Sequence, residues 1–195
     1  GMAVNKMGAR PLFLINALNT GLIETRGLNH YGIALDLNNL NSASSILNKG
    51  IINVKGDKSG GIVLKGSIGN TDDNVVNKGN INVTSSTSFG IYSNVSDTKY
   101  VNEGNIDLTS AANSIGLRNE GGLLKNGSNG IINLTNGTNN IGLYSTDGTT
   151  ENNGKIIISN GTDNIGIYAK GSGTSGVNSG EINAVSSGKI KGIAV

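Results

Sequence analysis

The chain has 195 residues, a formal charge of +2 and no cysteine; its 35% hydrophobic residues suffice for a core, while only 4% aromatics argue against an ordinary globular one. Gly and Asn number 31 each, yet Ile, Leu and Val are plentiful and evenly spaced, which excludes a disordered chain. Scattered Lys and Arg form no basic run, which excludes nucleic-acid and anionic-membrane binding, and the missing cysteines remove disulfides, thiolate metal sites and Cys nucleophiles.

Residues 1–18 come first and fit no pattern found later. In "KMGARPLFLINAL", Lys6 and Arg10 precede an apolar run that resembles a signal peptide, but Asn16 interrupts the run and no small-residue cleavage site follows. No stretch reaches the roughly 18 uninterrupted apolar residues of a membrane helix. This segment, with the sole Pro11, is expected to be an irregular or partial coil. Gly1 ahead of Met2, and a last residue, Val195, in mid-repeat, lead us to expect a piece of a longer chain.

Residues 19–195 repeat. Anchor glycines stand at 21, 50, 79, 104, 130, 154 and 180, spaced by 29, 29, 25, 26, 24 and 26 residues. A second glycine follows each, at 32, 61, 90, 116, 142, 166 and 192, offset by 11 residues in three copies and by 12 in four. After the anchor, apolar residues alternate with polar ones, as in Ile81-Asn82-Val83 and Ile106-Asp107-Leu108, predicting a strand with one buried face. The second glycine has apolar neighbours on both sides, such as Phe89 and Ile91, predicting a second strand whose glycine points outward. A third apolar stretch, such as Tyr100-Val101, precedes the next anchor.

A unit of 24 to 29 residues with three short strands cannot bury its own apolar face, so such units must stack, each strand pairing with its equivalent one repeat away. The expected fold is an all-β, right-handed parallel β-helix of about seven coils, roughly 30 Å long at the inter-strand spacing. The six-residue register of the left-handed form and the leucine set of leucine-rich repeats are both missing. Two residues before the anchors stand Asn19, Asn48, Asn77, Asn102, Asn152 and Asn178, with Ser128 the only departure; stacked amides of this kind form a ladder. The anchor glycine beside them permits either a positive φ or a close backbone approach at the corner.

Chemistry is sparse. Glu24, Asp107 and Glu181 fall on the outward side of the first strand, and Asp107 is three coils, roughly 14 Å, from each of the others; glycosidase pairs need about 5 to 10 Å. Asp72 and Asp73 read as a solvated turn and His30 as a surface or loop-packing residue. "GSGTSG" lacks the lysine and helix of a phosphate loop, and no calcium-binding nonapeptide occurs. The Asn-X-Ser/Thr sequons follow from composition. No catalytic residue, metal ligand or cofactor site is assigned. Two residues beyond the second glycine, however, Tyr92, Arg118, Tyr144 and Tyr168 occupy four consecutive coils, a candidate binding ridge able to stack on sugar rings or anchor a protein, or simply to brace neighbouring strands.

"VNKGNINV", "FGIYSN", "NIGLYS", "DNIGIYAKG" and "VNSGEINA" resemble the passenger domains of large type V autotransporter adhesins of the fusobacterial kind, over residues 19–195. The resemblance implies a secreted passenger displayed at the cell surface by a C-terminal outer-membrane β-barrel that this chain lacks. It also implies adhesion to, or coaggregation with, a host-cell or bacterial surface protein or glycan. Absence of cysteine is compatible with unfolded export. A non-enzymatic adhesin or stalk is therefore expected, with a carbohydrate-active β-helix enzyme as the alternative.

Overall fold

The structure is a computed structural model that describes residues 1–4, 16–36, 45–185 and 188–194. Every strand pairing among them is parallel, and the whole is a β-solenoid of about six turns. Gly180 opens a further coil of which two strands, Glu181–Val185 and Ile190–Ala194, are described. Of the N-terminal segment, Met2–Val4 pairs in parallel with Tyr31–Asp36 and Asn16–Asn19 with Ser45–Asn48, so parts of it already belong to the solenoid wall. Pro11 and the candidate signal-like run up to Ile15 lie outside the described residues.

Three walls enclose the core. The anchor wall is a seven-stranded sheet running from Leu22–Thr25 to Glu181–Val185. Its alternation works as the sequence predicts: Ile52, Ile81, Ile106, Ile132 and Ile156 are fully buried, while Asn53, Asn82, Asp107 and Asn133 between them and the next apolar position face outward. Each such buried Ile contributes about 1.5–3 kcal/mol relative to exposure, so this stack dominates stability. The second wall holds strands such as Gly60–Lys65 and Phe89–Ser93, and the third holds strands such as Ser96–Asn102. In two coils these walls are continuous: Ile115–Asn126 and Ile141–Asn152 are single strands that bend at Gly122 (φ 60°) and Gly148 (φ 74°). They join walls two and three into one 13-stranded sheet, where three separate short strands per coil are expected from sequence.

The second glycine does not point outward. Gly32, Gly61, Gly90, Gly116, Gly142 and Gly166 are buried, and a Cβ on Gly90 would lie 2.7 Å from both the Gly116 carbonyl oxygen and Ile106 Cγ2. The missing side chain lets the Ile column of the anchor wall press against wall two. It is the preceding residue, Tyr31, Phe89, Ile115, Ile141 or Ile165, that stands on the outside, so apolar flanks on both sides of a glycine did not mean that both flanks are buried.

The corner before wall two explains the change of offset from 11 to 12. Asn29, Lys58, Thr87, Asn113, Asn139 and Asp163, three residues before the second glycine, all have φ from 53° to 59°. Coils with the longer offset add a second left-handed residue three positions earlier: Ser110, Asn136 and Asn160. The extra residue is absorbed there, and the strand registers on both sides run without a shift across the change. Asn and Asp supply four of the six positions in the common column, as expected of the side chains that tolerate this region best.

The asparagine ladder and the candidate binding ridge

Asn19, Asn48, Asn77, Asn102, Asn152 and Asn178 stand in register on the inner corner between the third wall and the anchor wall. Each amide nitrogen donates to the amide oxygen of the next coil, at 2.7 Å from Asn19 to Asn48, from Asn48 to Asn77 and from Asn77 to Asn102. The gap expected at Ser128 does not exist. Asn126 takes the rung, accepting from Asn102 and donating to Asn152 at 2.8 Å each, and two extra residues bulge out ahead of Gly130. Ser128 is exposed on that bulge, which the Glu103 carboxylate caps by accepting from the Asn129 N–H at 3.0 Å. The anchor glycines have negative φ; they are required because a Cβ at Gly50 or Gly79 would sit 2.1 Å from the preceding anchor's carbonyl oxygen.

A second polar ladder escaped the sequence reading. Ser59, Ser88, Ser114, Asn140 and Asn164 are each 2% exposed or less, and each side-chain oxygen accepts the backbone N–H of the equivalent residue one coil earlier at 2.9–3.1 Å. The signal was present: these residues lie two positions before the second glycine, the same offset that revealed the first ladder. Both columns satisfy corner donors that no strand pairing reaches.

The carboxylates do not converge on the anchor wall. Glu24 is held by Lys55 and Arg26 at 2.5 Å each, and those bonds, Lys55 first, keep its pKa below the ordinary value. Asp107 accepts from the Asn133 amide. Glu181 belongs to the neighbouring outward column, opposite Lys155, because it follows its anchor by one residue where Glu24 and Asp107 follow theirs by three. Asp72 and Asp73 lie within the strand Ser67–Asn77, not in a turn; Asp73 pairs in register with Lys99. His30 sits in an exposed corner, where its ring bonds the Arg26 carbonyl. One pair of acids does meet on adjacent coils: Glu120 and Asp147 are register partners, which the sequence spacing hid. Both are committed, Glu120 to Arg118 and Tyr92, and Asp147 to the Gly148 N–H at 2.9 Å. Among the described residues no three His, Asp or Glu side chains group as metal ligands.

The ridge residues are brought together. Tyr92, Arg118, Tyr144 and Tyr168 are successive register partners on the outside of wall two, each half-buried. They divide into two pairs. Tyr144 and Tyr168 pack with ring centroids 5.6 Å apart, tilted by 50°. Arg118 turns back so that its guanidinium carbon lies 5.5 Å from the Tyr92 ring centroid, while it donates twice to Glu120 Oε1. The Tyr92 hydroxyl donates to Glu120 Oε2 at 2.7 Å. Partial burial, and then the Glu120 carboxylate, push the Tyr92 pKa up to about 12, so this hydroxyl remains a donor at neutral pH.

Tyr31 and Phe89 extend the ridge and were missed because their column was read as inward. They stand two coils apart with Gly60 between them in register; a Cβ on Gly60 would fall 2.1 Å from Phe89 Cε2. Over that gap the two rings lean together, centroids 6.0 Å apart, and Phe89 meets Tyr92 at 5.7 Å. Half-buried Ile115, Ile141 and Ile165 continue the same outward column beside Tyr144 and Tyr168.

Set against protein-family models, curated proteins and solved structures, the chain matches none. Its own geometry defines the class: a parallel β-solenoid with two internal polar ladders and an aromatic exterior ridge.

Proposed function

We propose that this chain is a non-enzymatic, cell-surface adhesin or stalk segment whose aromatic ridge is its contact surface. The observation that carries the reading is the outward line of Tyr31, Phe89, Tyr92, Arg118, Tyr144 and Tyr168 on a solenoid whose other apolar columns are mostly inside. Half-exposed aromatic side chains on a rigid scaffold are the residue type from which contact hot spots are made, with little side-chain entropy to lose. Display by an outer-membrane β-barrel, and a host-cell or bacterial surface protein or glycan as partner, follow from the resemblance to autotransporter passengers and are proposed with it.

The alternative of a carbohydrate-active enzyme needs a free acid facing a nucleophile or base. Glu120 and Asp147 are the pair to consider, but both Glu120 oxygens are already engaged, Oε1 by Arg118 and Oε2 by the Tyr92 hydroxyl, so neither is free to face a substrate. The test is attachment of the purified chain to host cells and to partner bacteria. The double variant Tyr144→Ser, Tyr168→Ser is expected to lose at least tenfold in binding with thermal unfolding close to that of the parent. Unchanged attachment would remove the ridge from the proposal.

A further inference from the structure

We infer that the N-terminal half of the ridge is a subsite for a pyranose ring, and that the ridge as a whole takes a linear oligosaccharide along the solenoid axis; this rests on the ridge being the contact surface. Tyr31, Val63, Lys65, Phe89, Tyr92 and Arg118 line an open groove of about 180 Å³. A pyranose presents an apolar C–H face and a rim of hydroxyls, and the groove offers a counterpart to each. Val63, 3% exposed, is the floor, and the rings of Phe89 and Tyr92, tilted by 49°, form an apolar wall. At the rim stands Arg118, oriented by two bonds to one Glu120 oxygen and by the Tyr92 ring; a guanidinium has five N–H donors, so several remain for hydroxyl oxygens. Lys65 stands exposed at the other end, in register with Asp36 of the preceding coil. Arg118 is held before any ligand arrives, which lowers the cost of ordering it.

The dimensions favour a sugar over a protein partner. Stable protein interfaces bury roughly 800 Å² per side and centre on pockets filled by large side chains. Here the concavity is a single small groove on a narrow strip. From Tyr92 the line passes Arg118 to Tyr144, two coils or about 10 Å further, and then to Tyr168, so a second aromatic pair lies along the axis where the next sugars of a chain would run.

The experiment is a titration of the intact ¹⁵N-labelled chain with tetrasaccharides of gluco, galacto, manno and uronate configuration, and with their monosaccharides. At least one tetrasaccharide is expected to shift the amides of Val63, Lys65, Phe89, Tyr92 and Arg118, and to bind at least tenfold more tightly than its monosaccharide. Phe89→Ala should weaken it at least tenfold. Because Phe89 also covers Gly60, Lys65→Gln is the second variant: Lys65 is exposed, and the change should weaken binding at least threefold with unchanged unfolding. No shifts with any sugar, shifts elsewhere, or parent-like binding by both variants would overturn the inference. If surface attachment still depends on Tyr144 and Tyr168 while no sugar binds, the sugar assignment fails and the adhesive reading survives. If sugar binds in the groove while attachment ignores the ridge, the reverse holds.

Discussion

Asn126 and Ser128 compete in the sequence for one rung of the internal ladder, and side-chain chemistry decides between them. An amide donates and accepts at once, so it can bond the coils on both sides; a serine two residues closer to the glycine is too short to join amides on either side. Replacing Asn126 by Ala leaves the Asn102 nitrogen and the Asn152 oxygen without this partner in a buried corner and is expected to cost about 1–3 kcal/mol. Ser128→Ala, on the exposed bulge, should stay within about 0.5 kcal/mol; urea unfolding of both variants separates the cases. Tyr100 makes the opposite point. It lies in the core of wall three, 3% exposed, its hydroxyl without a hydrogen-bond partner among the described residues and its pKa driven upward by burial alone. Tyr100→Phe is therefore expected to raise the unfolding midpoint, by about 1 kcal/mol of relieved desolvation, and a lower midpoint would show that the hydroxyl is satisfied after all.

For the strands, the two glycine columns set how closely elements approach. At wall two the limit is steric contact with both the next coil and the opposite wall. Gly90→Ala should destabilise by about 1–3 kcal/mol or more, since neither the Gly116 carbonyl nor Ile106 can withdraw without moving its own strand. Gly21, at the same repeat position as the other anchors, has no atom of the described residues within 4 Å of a Cβ. Gly21→Ala is expected to be nearly neutral in the same thermal measurement. The repeat motif was legible because every coil obeys it, but its meaning differs along the chain: the glycines of mid-rod are obligatory, while a Cβ on Gly21 meets no atom of the described residues.

The whole molecule is quasi-one-dimensional, its stability a sum over coil-to-coil contacts, and these are unequal. On wall three, Ser45–Asn48 and Ser67–Asn77 share only the Asn48–Asn77 register pair, whereas the next junction, to Ser96–Asn102, has six pairs and shifts register three times. Walls one and two hold four pairs each across the weaker level. Native-state hydrogen exchange should consequently give lower protection for the amides of Ile46 and Val75 than for those of Tyr100 and Leu124. Equal protection would mean that the ladder amides and the other two walls suffice to clamp this seam.

By itself the sequence determined the all-β class, the stacking of 24 to 29 residue coils, the inward Ile and Val columns and most of the asparagine ladder. Each is a local pattern repeated at constant spacing, and repetition turns a weak signal into a register. It also placed Tyr92, Arg118, Tyr144 and Tyr168 on one line. Only the tertiary structure decided that the second glycine is buried, that Asn126 replaces Ser128, that Tyr31 and Phe89 lie outside, and that Glu120 and Asp147 are register partners. Those outcomes depend on contacts between coils and between opposite walls: a carbonyl 2.7 Å from an absent Cβ, or a ring leaning over a glycine one coil away. A single repeat carries no record of its neighbour's shape, so the ridge was readable as a column while the groove built across four coils was not.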